Sequence, residues 1–226
     1  MSLSPVPNVP FAVDTSTWTS FQTRYDNLLN VALEPSELPG WLDQWSQLNR
    51  VVEEVGAIVY IESTLDTTDE SKEKAFLNFI EHIEPNYRRA DQTLKERLLT
   101  LVFDDQALGP DMTVTLRKMR NQADLFREAN IPLFTELAKL GNEFDKITGG
   151  LKADWDGEEK NLSQLDTLLL DRDRTIRERA WKTIMGLWQS KRDELNNIYR
   201  QMLALRRQVA ENAGLPDFRA YAYQSY

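Results

Sequence analysis

The feature that most constrains this chain is a long helical pattern between Asp171 and Ala213. No proline interrupts the pattern, and Gly214 followed by Pro216 is typical of a helix C-terminus. At about 1.5 Å per residue, the pattern predicts one rod on the order of 60 Å, along which the other helices pack. The apolar residues that recur on one face of this helix are Ile176, Ala180, Ile184, Leu187, Leu195, Ile198, Met202, Leu205 and Val209.

Another helix is predicted after Gly214, with Phe218 and Tyr221 on one side, and the sequence stops at Tyr226. Natural domains rarely stop just after an aromatic-rich helix has begun. We therefore expect the chain to be part of a longer protein.

Length and composition restrict the classes of function. A chain of 226 residues suits one large or two small domains with a real core. Acidic residues outnumber basic ones, 36 to 27, and the resulting charge of −9 disfavours nucleic acid or anionic membrane as a partner. No apolar run approaches the roughly 20 residues of a membrane span. The N-terminus lacks the features of a signal peptide, and cysteine is absent. We expect a cytoplasmic protein.

The chain divides into an extended arm and a helical lobe. Residues 1–15 contain Pro5, Pro7 and Pro10 with little periodicity, and we predict an extended N-terminal arm. Residues 16–226 are predicted to form successive amphipathic helices. Breaks between them are expected near Pro35 to Gly40, Asp66 to Asp69, Gly109-Pro110 and Pro132, and Pro85 is expected either to kink the third helix or to start a fourth.

One stretch departs from the helical pattern, near residues 145–157. Gly149-Gly150 is a turn signal between two short runs, and Asp156-Gly157 is a second one. Leu151, Ala153 and Trp155 alternate with polar residues, as in a half-buried strand. The predicted fold is all-α with one small β-hairpin, centred on Gly149-Gly150.

The sequence contains too few of the residues that most types of catalytic site require. His82 is the only histidine, whereas zinc hydrolases of the His-Glu-x-x-His type need two. A catalytic triad would depend on His82 as its sole base, and no Gly-x-Ser-x-Gly turn is present. We predict that His82 lies on the surface. We assign no catalytic, cofactor-binding or metal-binding residue in this chain.

Charged and aromatic residues give three further candidates. The acidic pairs Glu53-Glu54 and Glu158-Glu159 are interpreted as solvated faces rather than acid–base groups. A group of charged residues either locks two helices together or binds a substrate carboxylate; it comprises Asp171, Arg172, Asp173, Arg174, Arg177 and Glu178. We favour the structural role, because charges of both signs satisfy each other. Among six tryptophans, Trp155 on the hairpin is the candidate ligand platform.

Several stretches together resemble the N-terminal portion of oligoendopeptidase F, a thimet-oligopeptidase-like zinc metallopeptidase. The resemblance covers most of residues 40–226 and depends on the order and spacing of individually weak motifs. These are Tyr60 through Asp69 leading to Phe76 and Phe79; Pro85 with Leu94; Phe144 to Leu165; Asp171, Arg172, Arg177 and Ala180; and Arg207, Val209, Ala210, Asn212, Ala213, Gly214, Phe218 and Tyr221.

The resemblance implies a helical lobe that precedes a catalytic lobe, with a peptide-binding groove between them. In that family the zinc helix lies in the later lobe, so the zinc is expected in the full-length protein and no cofactor in this chain. The chain would form one wall of the groove that binds short peptides and would restrict access to that groove. The alternative is a stand-alone helical interaction module without chemistry.

The resemblance also predicts a surface for the missing lobe. Tyr221, Tyr223, Leu205 and Val209 are the predicted edges of an exposed apolar face. Exposed apolar patches promote association. We expect the chain to bind its catalytic lobe or to form a homodimer.

Overall fold

A computed structural model describes residues 14–102 and 108–225 of the chain. Residues 1–13 of the predicted N-terminal arm therefore lie outside the described residues. None of the helices in the described ranges is both long and apolar enough to cross a membrane.

The described part of the chain is mainly α-helical, and it carries one two-stranded antiparallel hairpin, which confirms the predicted fold class. The elements in chain order are α1 (Thr19–Asn30), α2 (Leu38–Leu65), α3 (Glu70–Asn78), α4 (Glu84–Leu101), α5 (Thr113–Leu125), α6 (Ile131–Gly149), β1 (Lys152–Trp155), β2 (Glu158–Asn161), α7 (Leu162–Thr167), α8 (Arg174–Ser190), α9 (Arg192–Asn212) and α10 (Phe218–Gln224). Short 3₁₀ turns precede α2, α5 and α6 and follow α7.

Short polar side chains begin several of these helices. Asp69, Asn161, Asp173 and Asp217 each accept hydrogen bonds from backbone N–H groups in the first turn of α3, α7, α8 and α10. Such caps satisfy donors that have no partner inside the helix.

Gly214 ends α9 as the sequence predicts. Its φ of 76° lies in the left-handed region, where glycine has no side-chain clash. The Leu215 N–H donates to the Ala210 carbonyl at 2.9 Å, and the Gly214 N–H donates to the Glu211 carbonyl at 2.9 Å. These two bonds form a Schellman motif.

Pro85 starts a fourth helix, and a π-helical segment, Phe79–Ile83, joins α3 to it. The Glu84 N–H donates to the Phe79 carbonyl, five residues back. Because proline has no N–H, the regular four-residue bonding could not continue through this point. The π-helical spacing lets the chain keep a helical path.

The long rod predicted from Asp171 to Ala213 is wrong, because Lys191 separates α8 from α9. The Lys191 N–H donates to the Trp188 carbonyl at 3.3 Å, a three-residue spacing that tightens the turn. The two halves pack against different partners: α8 contacts α7 and β1, whereas α9 contacts α6 and α10. A single straight helix would not pack against both of these sets of partners.

The hairpin is confirmed, but its predicted turn position is wrong. Asp156 and Gly157 form the turn, with φ values of 57° and 86°, and Trp155 pairs with Glu158 across it. Positive φ at both central residues is the type I′ geometry that fits the twist of a hairpin. Gly149 instead ends α6, where an added Cβ would lie 3.1 Å from the Thr67 methyl group. That glycine therefore permits close packing rather than a hairpin turn.

The larger of the two core clusters lies among α1 to α5 and the π-helical segment. Its fully buried side chains each contribute roughly 1.5–3 kcal/mol to stability. The buried members are Phe21, Tyr25, Leu28, Leu38, Trp41, Trp45, Leu48, Val51, Val52, Val55, Val59, Phe76, Phe79, Ile80, Ile83, Leu94, Leu98, Val102 and Leu116.

A smaller cluster lies under the hairpin. Trp155 packs there with Leu165 of α7 and with Ala180 and Ile184 of α8. The Arg179 guanidinium carbon lies 4.0 Å from the centroid of the Trp155 ring. Trp155 is therefore a core residue, and it does not offer a free ring face to a ligand.

Asn130 fastens the start of α6 to the end of α9. Its side-chain amide donates to the Val209 carbonyl at 3.1 Å and its side-chain oxygen accepts from Asn212 at 2.7 Å. The Arg127 guanidinium donates to the Asn212 carbonyl at 3.1 Å. We call this group of hydrogen bonds the Asn130 junction.

The predicted exposed apolar face is only partly correct. Val209 is completely buried and its carbonyl accepts the Asn130 hydrogen bond, and Leu205 is half-buried. Tyr221 stacks on Phe218 with ring centroids 5.6 Å apart and is half-buried, while Tyr223 is 75% exposed. A continuous apolar edge from Leu205 to Tyr223 is thus not formed.

Candidate functional site

A cleft of about 550 Å³ opens between α2, α4, α5, α6 and α10, and we call it the central cleft. Its volume is in the range of small-ligand sites in proteins. Charged and aromatic side chains from separate elements meet there: Glu53 of α2; Glu84, Tyr87, Arg88, Asp91, Gln92 and Lys95 of α4; Gln122 and Leu125 of α5, followed by Phe126 and Arg127; Ile131 and Phe134 of α6; and Tyr221 and Ser225 at the C-terminal end.

Helix α4 positions most of the charged lining. Glu84, Arg88, Asp91 and Lys95 follow one another at spacings of four, three and four residues, which places them along one face of the helix. Arg88 donates to Glu84 at 2.5 Å, and Lys95 lies 3.2 Å from Asp91. These four lining charges therefore form two opposite-charge pairs.

Asp91 and Lys95 anchor the floor of the cleft. The Asp91 carboxylate accepts hydrogen bonds from Trp45 Nε1 at 2.9 Å and from Asn49 at 2.7 Å. The Lys95 ammonium also donates to Gln122 at 3.0 Å. A buried ion pair is tolerated when further hydrogen bonds satisfy its remaining donors and acceptors. This network makes the floor rigid.

Glu53 and Tyr87 form the wall near α2. The Tyr87 hydroxyl donates to the Glu53 carboxylate at 3.0 Å. Burial raises the pKa of Tyr87 far above its usual value, and the negative charges of Asp91 and Glu53 raise it further. The pKa of Tyr25, behind this wall, is raised by the same three causes. Both phenols stay protonated, and this side of the cleft has a negative potential.

Arg127 and the Arg88–Glu84 pair lie near the aromatic rings of α6 and α10, and Arg127 is the cation among them that pairs with no carboxylate of the described residues. The Arg88 guanidinium carbon lies 4.9 Å from the centroid of the Phe134 ring. Burial raises the pKa of Tyr221, whereas the nearby charges of Arg88 and Arg127 act in the lowering direction. Phe134 and Tyr221 lie 6.3 Å apart between their ring centroids, so aromatic surface accompanies these cations.

A second cavity, of about 650 Å³, lies between α1 and the first half of α2. Leu28, Val31, Trp41 and Leu48 contribute apolar surface to it, and its charged lining residues are Arg24 and Glu37. It lacks the convergence of charged and aromatic groups that the central cleft has. The central cleft is therefore the better candidate for a functional site.

Neither cavity is lined by a group of side chains that could hold a catalytic metal ion. In the described ranges, 14–102 and 108–225, no three His, Cys, Asp or Glu side chains come together in a group able to hold a metal ion. His82 is 68% exposed in its side chain, lies 3.9 Å from Glu81 and does not line the central cleft. Its predicted surface position is confirmed. The described residues do not fit a catalytic zinc.

The structure places the other predicted candidates as follows. Arg177 donates to the backbone carbonyls of Asp171 at 2.7 Å and Arg172 at 2.9 Å. Its role is thus structural as predicted, but the expected carboxylate partner is wrong. Glu158 and Glu159 pair with Lys160 and Lys152 on the hairpin surface.

Sequence reasoning identified Glu53 as one of a solvated pair and missed the rest of the central cleft. The available signal was the pattern of charged residues on α4, where Glu84 and Arg88, and Asp91 and Lys95, stand four residues apart. Such pairs are common on exposed helices, and nothing in the local sequence distinguishes these from surface pairs.

Three solved structures share this fold, each with a TM-score of 0.80 over 95% of the chain. One is PZ peptidase A with an inhibitor, at 19% identity. The other two are proteins assigned as oligoendopeptidase F, one at 19% identity and one from Bacillus anthracis at 17%. The chain spans only 38–40% of the length of these solved chains. Among curated protein sequences, none matches.

The sequence family is shown by a match to the Peptidase M3 N-terminal domain over residues 10–126. This match includes more than half of the chain, and it covers α1 to α5. The chain belongs to the family of Peptidase M3 N-terminal domains.

Proposed function

We propose that this chain is the N-terminal helical lobe of a zinc-dependent oligopeptidase, and that it walls the groove in which short peptides bind. The observation that carries the proposal is the family match over residues 10–126. The peptidase folds that extend well beyond the region shared with this chain give it further support. The cytoplasmic location expected from the sequence remains a prediction.

The central cleft supports the groove-walling role. It combines opposite charges with the aromatic side chains of Tyr87, Phe134 and Tyr221, and peptides offer groups that match both. Its floor is fixed by the hydrogen-bonded Asp91–Lys95 pair. A rigid wall fits a role in positioning substrate, while bond cleavage requires a metal-activated water and a general base from elsewhere.

The alternative is a stand-alone interaction module that has the same lobe and no catalytic partner. The two hypotheses predict the same fold for this chain but different coding sequences after the codon for Tyr226. Reading the coding frame past the codon for Tyr226 tests them directly. We expect a later segment with His-Glu-x-x-His and a further Glu. A frame that ends at Tyr226 would favour the module.

Activity provides the second test. An internally quenched peptide is incubated with the 226-residue chain and with the longer protein, each with and without 1,10-phenanthroline. We expect cleavage by the longer protein only, and the chelator should abolish it because the metal activates the attacking water. Chelator-sensitive cleavage by the chain alone would contradict the proposal, as would a longer protein with an intact zinc motif that cuts nothing across a broad peptide library.

A further inference from the structure

The charges that line the central cleft do not all neutralise one another. Glu84 is paired with Arg88, and Asp91 with Lys95. Glu53 has a hydrogen bond from the Tyr87 hydroxyl, and no cation of the described residues lies within ion-pair distance of it. One carboxylate in the cleft is therefore without a counter-charge.

Arg127 is the matching cation. Its Nε donates to the Asn212 carbonyl, and its Nη1 donates to the carbonyls of Asp124 and Phe126. These acceptors are neutral, and no carboxylate of the described residues pairs with Arg127. The Nη2 atom of Arg127 makes no hydrogen bond with any of the described residues. Arg127 is exposed, so this nitrogen is available to an anion.

These two charges belong to different walls of the same cleft. Glu53 belongs to α2, whereas Arg127 lies between α5 and α6 beside the end of α9. The rings of Phe134 and Tyr221 lie near the cationic wall. A ligand that complements the whole cleft has a positive group, an apolar body and a negative group.

We propose that the central cleft binds short peptides by both free termini, with the α-amino group at Glu53 and Tyr87 and the α-carboxylate at Arg127. The apolar side chains of the peptide pack on Phe134 and Tyr221. This proposal names the substrate class of the groove wall and so rests on the proposed function. Recognition of both ends would make the wall a selector of peptide length, since Glu53 and Arg127 are held at a fixed separation on different elements.

The test is direct binding to the 226-residue chain, with no catalysis involved. Isothermal titration calorimetry compares the tetrapeptide Leu-Phe-Ala-Leu with its N-acetylated and its C-amidated forms. We expect each blocked form to bind about tenfold more weakly, because each loses one charge-assisted contact. Equal affinity of free and blocked peptides would overturn the proposal, and so would the absence of binding at millimolar peptide.

Two variants locate the amino-group contact. In Glu53→Gln, the free and N-acetylated peptides should bind equally, while C-amidation should still weaken binding. Glu54→Gln makes the same charge change at the next position of α2, outside the cleft lining, and should keep the wild-type pattern. If Glu54→Gln behaves like Glu53→Gln, the effect comes from overall charge and the proposal fails.

The binding result and the cleavage result are separable. Loss of terminal recognition would leave chelator-sensitive cleavage by the longer protein intact, so only the binding proposal would fail. Terminal recognition by a chain whose coding frame ends at Tyr226 would leave the cleft as a peptide site and remove the peptidase proposal. Circular dichroism of both variants checks that the helical fold is retained.

Discussion

The N-terminal bundle and the hairpin region bury the same kind of residue in very different surroundings. Leu94 and Leu165 are both completely buried. Leu94 lies in the core shared by α1 to α5, whereas Leu165 packs in a small cluster between the hairpin, α7 and α8. The six-residue α7 is held largely by this cluster and by its cap.

The difference shows that burial alone does not set the importance of a residue. A large core resists collapse around a missing side chain, so a cavity there remains and costs free energy. A small cluster under a short helix can relax or open by itself.

Leu94→Ala should lower the free energy of unfolding by about 3–5 kcal/mol, because five helices and the π-helical segment hold the walls of the resulting cavity in place. Urea denaturation followed by circular dichroism measures this change. Leu65→Ala is the matched control, since Leu65 is 79% exposed on α2 and its loss should cost less than about 0.5 kcal/mol. Similar losses in the two variants would contradict the proposed rigidity of the large core.

Leu165→Ala should cost less, about 2–3 kcal/mol, because α7 can shift toward the cavity. Its effect should also be local. Hydrogen exchange at residues 152–167 should become about thirty- to 150-fold faster, with little change in α2 and α4. Uniformly faster exchange throughout the chain would mean that the two regions unfold as one unit, and the comparison would fail.

Arg177→Ala should have the smallest effect, about 1–2 kcal/mol, because it leaves the carbonyls of Asp171 and Arg172 without their donor. The thermal midpoint measures the loss. Arg174→Ala, at an exposed position in the same turn, serves as the control and should be nearly neutral. An unchanged midpoint together with a loss of peptide affinity would support the carboxylate-binding role for Arg177 instead.

Where local chemistry alone decides, the sequence predicts the fold well. Gly214 ends its helix because only a left-handed residue completes the cap, and this requirement is visible in the sequence. Asp69 and Asp173 begin helices for a similar reason. The helical class follows from apolar periodicity, which the tertiary structure reinforces.

Where packing decides between local options, sequence reasoning fails. Gly149-Gly150 and Asp156-Gly157 are both turn dipeptides, but Gly149 is the last residue of α6, close to Thr67, and Gly150 is the C-cap of that helix. The break at Lys191 has neither proline nor glycine, and it follows from the different partners of α8 and α9.

The central cleft could not be predicted from the sequence, because no motif encodes it. Glu53, Arg127 and Tyr221 are far apart in the chain, and only the folded bundle brings them to one cavity. Each is an ordinary residue in its own helix or turn. Their relation depends on how α2, α5, α6 and α10 pack around α4, which local propensity does not specify.

The hydrogen bonds of the Asn130 junction can form only late in the synthesis of the chain. These contacts join residues 79, 82 and 85 positions apart. At about 5–20 residues per second, a ribosome needs roughly 4–16 seconds to make that intervening chain. Asn130 cannot form these hydrogen bonds until the residues of α9 have been made. The Asn130 junction therefore forms only after the chain from α1 to α6 has been synthesised.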